Sequence, residues 1–490
     1  MEPELSTDRN HSLAFKTAEI KETLAKIKQQ LDDEPELSPA LRSTIEMLIL
    51  IVTLLAGRLG LNSGNSSKPP STDPHRKRKE KKPGQKKAGG QVGHAGSTLK
   101  KVAEPDVVVD IEIDRRRLPR GRTYQITGFE SRQVIDIEMN VVVTEYRAEV
   151  VEDEMGCRYV AVFPSHVSRP VQYGVNVKAN SVYMSQFQMV PVDRVVDHFQ
   201  DQMGLAISAG SICNFNREAY DTLETFEGIA KQQIRDSGVV HADETGINVD
   251  GKLVWLHSAS TDDWSYFFPH AKRGTEAMNA MGILPTFNGI LCHDHWRPYY
   301  TYSCLHALCN AHHLRELERA AEQDGQRWAK RMKKLLDAMN IATKQAGGPL
   351  TSARALRYRQ IYRRLLRQAE KECPETQKNE KSRRGRTKQS KARNLLERLR
   401  DYETDVLRFL DTPGVPFTNN QAERDIRMTK VQQKISGCFR SMEGAYIFCR
   451  IRSYLSSCRK HGVSPSDALS LLFQGKLPDF CYPRQGALPS

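Results

Sequence analysis

Val239–Val240–His241–Ala242–Asp243–Glu244–Thr245 reads as an apolar run that ends in carboxylates. About fifty residues later Gly289–Ile290–Leu291–Cys292–His293–Asp294 repeats the pattern. Both read as buried strands whose last residues are acids. Much further on, Asn419–Asn420–Gln421–Ala422–Glu423–Arg424 opens a segment with helical spacing. Two strand-end aspartates and one helix-borne glutamate form a set of hard oxygen donors suited to a pair of divalent cations. Any one of these acids alone is more simply a strand end, or half of a surface ion pair such as Glu423 with Arg427. The ordered set of three favours a site.

The regions around these stretches follow from periodicity. Leu253–Val254–Trp255–Leu256–His257–Ser258 and Tyr266–Phe267–Phe268 come after the first carboxylate strand with short turns between, which predicts an antiparallel three-strand meander. A helix is expected near 274–284, before the strand that ends at Asp294. Residues 311–410 read as helical, with a basic polar break at 378–393, and a helical tail follows from Ser441 to about Phe473. Upstream, the segment from Gly174 to about Arg235 is helical. Within it, a helix ending at Gly204 and a next one capped by Ser208 resemble a helix–turn–helix. A helix pair packed only for stability fits the same residues. Alternation at Val107–Val108–Val109, Val134–Ile135–Asp136–Ile137–Glu138 and Val141–Val142–Val143 predicts a small β-rich module.

The first sixty residues predict two helices. Ile20, Leu24, Ile27 and Leu31 form one stripe; Leu41, Ile45, Leu48, Val52, Leu55 and Leu59 form the next, beyond Pro35 and Pro39. A dimerising coiled coil and a hairpin closing on itself or on the main body both fit. A turn-rich, basic linker follows. Its Arg76, Lys77, Arg78, Lys79, Lys81, Lys82, Lys86 and Lys87 are expected to track DNA phosphates.

Composition narrows the class. The chain has 490 residues, 73 Lys plus Arg against 59 Asp plus Glu, and a net charge of +14. A basic excess clustered in this way points to a polyanionic partner. Ten cysteines in a chain of this length are no disulfide framework. The polar, acidic start at 1–10 does not read as a signal peptide, and the apolar stretch 47–56 is too short to span a bilayer. A cytoplasmic protein with no membrane partner, nucleoid-associated when on DNA, is therefore expected.

Several motifs together carry a resemblance. They are Asn65–Ser66–Ser67–Lys68–Pro69–Pro70–Ser71, Gly89–Gly90–Gln91–Val92–Gly93–His94, Asp243–Glu244–Thr245, the Asp294 strand, Asn419–Asn420–Gln421–Ala422–Glu423–Arg424 and Gly462–Val463–Ser464–Pro465. In this order and spacing the chain resembles the insertion-sequence-66 family of bacterial transposases, from the N-terminal helices to about residue 475. The resemblance implies a DDE-type, ribonuclease-H-like α/β catalytic domain with Asp243, Asp294 and Glu423 as catalytic and metal-binding triad. It also implies two Mg²⁺ or Mn²⁺ ions, and residues 311–410 as an insertion before the last acid. On helix 420 onward, Arg424, Arg427, Lys430 and Lys434 are expected beside the metals, against DNA. The expected activity is binding of terminal inverted repeats, 3′-end cleavage and strand transfer. A ribonuclease-H-like nuclease without joining activity, or a non-catalytic domesticated copy, are the rivals. DNA ends and target, a homo-oligomer and accessory proteins of the same element are the expected partners.

The whole is expected as a multidomain α+β chain. The divisions are 1–61 helical or coiled coil, 62–104 basic linker, 105–170 β-rich, 171–236 helical, 237–310 with 412–440 catalytic, 311–411 helical insertion and 441–490 helical tail. One departure from the family is clear. The stretch Asp114–Arg115–Arg116–Arg117–Leu118–Pro119–Arg120–Gly121–Arg122 lacks the cysteine pairs of a zinc module, so zinc is not expected there. Cys309–Asn310–Ala311–His312 is similar to a C-x-x-H signature of related transposases. Cys309 and His312, one helical turn apart, could orient Asp294, bind a metal, or simply start a buried helix.

Overall fold

The computed structural model describes residues 17–34, 36–59, 61–62, 64–66, 99–375 and 389–482. It is a mixed α/β, multidomain architecture. Fifteen helices and seven strands are found among the described residues. The basic arm with Arg76, Lys77, Arg78, Lys79, Lys81, Lys82, Lys86 and Lys87 lies outside them.

Helices α1 (Thr17–Asp33) and α2 (Pro39–Leu59) form a hairpin that packs on itself. Ile45, Ile49 and Ala56 turn inward on α2, while Leu41, Leu48, Val52 and Leu55 are exposed. The helix is longer than the apolar stretch read from sequence. Its 18-residue window Pro39–Ala56 has mean hydropathy 1.7 and is long and apolar enough, by length and composition, to cross a membrane. The β-rich module is much reduced. Only β1 (Val150–Glu152) and β2 (Arg158–Val160) pair; the expected strands at 107–109, 134–138 and 141–143 run as exposed chain without a ladder. Their valines find no packed face, and β-propensity without cross-strand packing does not make a sheet.

The helical region expected at 171–236 is α3 (Val175–Val182), α4 (Val192–Met203), α5 (Ala209–Thr222) and α6 (Glu224–Arg235). Gly204 ends α4 at φ 63, and the Ser208 side chain caps α5 by accepting from the Ser211 N–H. Ile212, Phe215 and Ala219 bury the inner side of α5, while Arg217 and Glu218 on its outer side pair with Glu443 and Lys178.

The sheet follows. Strands β3 (Val239–Val249), β4 (Lys252–Ser260) and β5 (Ser265–His270) form the expected antiparallel meander. Asp250 and Gly251, both at positive φ, make the two-residue turn that this twisted hairpin requires. After α7 (Thr275–Met281), strands β6 (Ile290–His293) and β7 (Leu305–Leu308) run parallel to β3, giving the order β5-β4-β3-β6-β7. Gly289 enters β6 where there is no room for a side chain. A Cβ there would lie 2.6 Å from Phe287 Cζ and 2.7 Å from the Gly238 carbonyl. Because one neighbour is backbone, Gly289→Ala should cost about 1–3 kcal/mol. Chemical denaturation would check this, and an unchanged midpoint would contradict the crowding.

Helices α8 (Asn310–Gln323), α9 (Arg327–Gln345), α10 (Ser352–Glu372), α11 (Lys391–Asp401) and α12 (Glu403–Leu407) build a separate core that includes Cys292, Ala307 and Leu308 of β6 and β7. Arg393 was expected at the end of a basic polar break. It lies instead in α11, buried, with Glu375 and Glu397 at 2.9 and 3.0 Å and Glu370 also bonded. Those acids compensate the charge, as burial demands. Helix α13 (Asn420–Ser436) crosses β3 and β4, and α14 (Met442–Lys460) lies along β5. With α15 (Pro465–Phe473), α14 is core rather than tail: Phe448, Ile451, Tyr454, Leu455 and Cys458 are buried. The Ser453 and Ser457 hydroxyls accept the outward N–H groups of Phe267 and Ser265 at 2.9 and 3.0 Å. On the opposite rim, Arg408 donates to the His306 carbonyl of β7 at 2.7 Å.

Candidate active site

The site forms where β3 loses a neighbour. Strand β6 pairs with β3 only over Val239, Val240 and His241, while β4 stays paired with it to Val249. Asp243 is therefore not a strand end, as expected, but lies inside β3, just past its ladder with β6. Its carboxylate accepts from the Glu244 N–H at 2.9 Å, and its backbone pairs with Ser258. Asp294 does follow directly on β6. Its Oδ1 accepts from the Trp296 N–H at 2.9 Å, and His295 between them takes φ 74, uncommon for a residue with a side chain. Glu423 arrives on the first turn of α13.

Electrostatics reports how close these acids come. Asp243 is pushed up to about 8, first by burial, then by Glu244, Asp294 and, last, Glu423. Among the described residues the three acids do not form a set of ligand atoms all within 4.8 Å of one another. Two ions about 3.5–4 Å apart do not require that, because each acid need touch only one or both of them. Glu244 is differently placed. It is also raised by burial, but its carboxylate accepts from Arg273 at 2.6 Å and from the Tyr299 hydroxyl at 2.6 Å. Among the described residues no cation pairs with Asp243.

A pH dependence follows. The folded value of Asp243 lies above its ordinary 3.8, so the folded state binds the extra proton. The favourable contribution is complete below about pH 4 and is lost as pH rises toward about 8. Without divalent cation, the parent should lose on the order of 5 kcal/mol over that window relative to Asp243→Asn. Thermal unfolding of both chains across pH measures it; parallel curves would contradict the shift.

Two residues not singled out from sequence hold this geometry. Arg273 is stacked between Trp255 and Trp296, 4.7 and 4.2 Å from the ring centres, and so ties the loop after Asp294 to Glu244. Asn419, first residue of the quoted motif, is buried. Its Oδ1 meets His241 Nδ1 at 2.8 Å, its Nδ2 donates to the Ala242 carbonyl at 2.8 Å, and its backbone N–H donates to Cys309 Sγ at 3.1 Å. No sequence period marks Arg273; the Trp residues near it are the only trace.

Of the other expected residues, Arg424, Arg427 and Lys434 are exposed on α13, with Arg424 donating to Gln421 at 2.8 Å. Lys430 donates to the Gly246 carbonyl at 2.5 Å, and burial lowers its pKa. No ion pair joins Glu423 to Arg427 among the described residues. Glu423 instead turns inward, with Oε1 buried and unpartnered. Cys309 stands at the N-cap of α8, with its thiol pushed up chiefly by burial, and His312 follows one turn on, pushed down by burial.

The model of the Transposase IS66 family matches residues 170–447, which span every strand and helix of this site. A family of unknown function (DUF6444) matches residues 3–100. No curated protein matches the chain.

Proposed function

We propose, for a chain that belongs to the IS66 family of transposases, enzymes that act on DNA, that Asp243, Asp294 and Glu423 are its catalytic and metal-binding residues. The observation that carries this reading is Asp243 itself: half-buried, among three other carboxylates, and, among the described residues, held by a backbone N–H and no cation. Such oxygen donors fit a hard divalent cation, Mg²⁺ or Mn²⁺, and two ions suit the spread of the three acids. Cations held there would supply an activated nucleophile and would stabilise the leaving oxygen.

The chain's own residues do the rest. Strands β3 and β6 fix the two aspartates on adjacent, parallel backbones, and α13 brings the glutamate across the sheet. Arg273 and Tyr299 keep Glu244 charge-compensated, so it does not compete for cations. The exposed Arg424, Arg427 and Lys434 hold flanking phosphates, which sets register more than sequence. The strand order, an antiparallel meander extended by two parallel strands, supports a ribonuclease-H-like core, with α8–α12 as the insertion before the last acid. We place end recognition on the α4–α5 pair and the basic arm, and pairing of two copies on the exposed Leu41, Leu48, Val52 and Leu55 of α2. On this reading the chain exposes a 3′-hydroxyl at an element end and joins it to target DNA.

The test is the purified chain with Mg²⁺, end-mimicking duplexes and a target plasmid. Joined product supports the proposal. Cleavage without joining favours a nuclease, and binding without cleavage a non-catalytic copy.

A further inference from the structure

Beside the acids, three side chains of mixed chemistry converge. The Cys309 sulfur, a His312 ring nitrogen and a Glu423 oxygen lie within 4.8 Å of one another. They come from the N-cap and first turn of α8 and from the first turn of α13, two helices that Asn419 ties together through Cys309. Two of the three end in buried atoms with no hydrogen-bond partner, His312 Nδ1 and Glu423 Oε1. A buried polar atom without a partner costs about 1–3 kcal/mol. Two residues grouped around one sulfur, each with such an atom, make an arrangement that a cation would satisfy and that, among the described residues, protein hydrogen bonds do not.

We propose that Cys309, His312 and Glu423 hold one transition-metal cation of borderline softness, for which zinc is the best fit. Thiolate, imidazole and carboxylate are the donors zinc takes, and three protein ligands leave a fourth position open. Sulfur is a poor donor for Mg²⁺, so the site discriminates against the ion suited to the aspartates. Occupancy releases the thiol proton and fixes the Glu423 carboxylate, giving that residue a second role as the link between two cation sites. Zinc was not expected from the sequence because residues 114–122 lack paired cysteines; the donors gather elsewhere. The inference shares Glu423 with the proposed catalytic site but rests on the Cys–His–Glu geometry, not on strand transfer.

Cobalt(II) is the probe, added to the full chain purified reduced and stripped of metal. One equivalent should bind with a near-ultraviolet thiolate-to-cobalt band. The band should vanish in Cys309→Ser and persist in Asp243→Asn, whose remaining acids give no sulfur signature. His312→Gln keeps the thiol and should bind cobalt at least about tenfold more weakly, which covers the case of a misfolded serine variant. No band in the parent, a band that survives Cys309→Ser, or unchanged affinity in His312→Gln overturns the proposal. Failure of strand transfer alone does not touch it.

Discussion

An Asp243→Asn chain will bind element-end DNA like its parent and cleave it at least about a thousandfold more slowly. That loss corresponds to about 4 kcal/mol of transition-state stabilisation. The substitution keeps shape and backbone, and Asn retains an oxygen for the Glu244 N–H. On the proposed reading it removes the charge that a cation would need, at a position where burial and three neighbouring carboxylates already make that charge costly. The same change should raise the metal-free melting temperature near pH 8 and abolish the rise that Mg²⁺ gives the parent. Catalysis and stability therefore move in opposite directions, which a merely structural aspartate would not produce. The measurement is strand cleavage and transfer alongside thermal unfolding with and without Mg²⁺. Equal transfer by the two chains would remove Asp243 from the site.

Asn419→Ala should destabilise the fold by about 2–4 kcal/mol and slow the reaction in step. The side chain is buried, and its amide links the start of α13 to β3. His241 Nδ1 and the Ala242 carbonyl would both lose their partner inside the protein. Leaving buried polar groups unsatisfied is more costly than the bonds themselves are worth. The residue also fixes where α13 begins, four residues before Glu423, so a shift there moves the last acid. Asn419→Asp keeps the shape but replaces the donor to Ala242 with an acceptor, and should retain little of the stability. Denaturant titration with single-turnover cleavage separates the effects; full stability in Asn419→Ala would contradict the staple.

The sheet was legible because its signals are local. Apolar runs, an Asp-Gly turn and paired short segments give the β3–β5 meander, and Gly204 and Ser208 give the ends of α4 and α5. The positions of Asp294 and Glu423, one following a strand and one opening a helix, were legible by the same route. The placement of Asp243 was read one step wrong, because where β6 stops pairing with β3 depends on a partner far along the chain. The β-rich module was overcalled for a related reason: alternation at Val107, Val134 and Val141 records propensity, not whether a packed face exists. The ion pair of Arg273 and the burial of Arg393 were invisible, since Glu244 lies on β3 and Glu370 and Glu375 lie on and just past α10. The exposed or paired state of Arg424 and Lys430 likewise follows from how α13 rolls against β3, which helical spacing alone does not fix.

The hydroxyls of Ser453 and Ser457 and the guanidinium of Arg408 occupy the two outer rims of the five-stranded sheet. Ser265 and Phe267 on one margin and His306 on the other thus have outward backbone groups already bonded, which shortens the ladder this sheet leaves open to a neighbouring chain. A second copy laid against these stretches of the sheet would meet side chains rather than free backbone, and could part again without tearing either sheet.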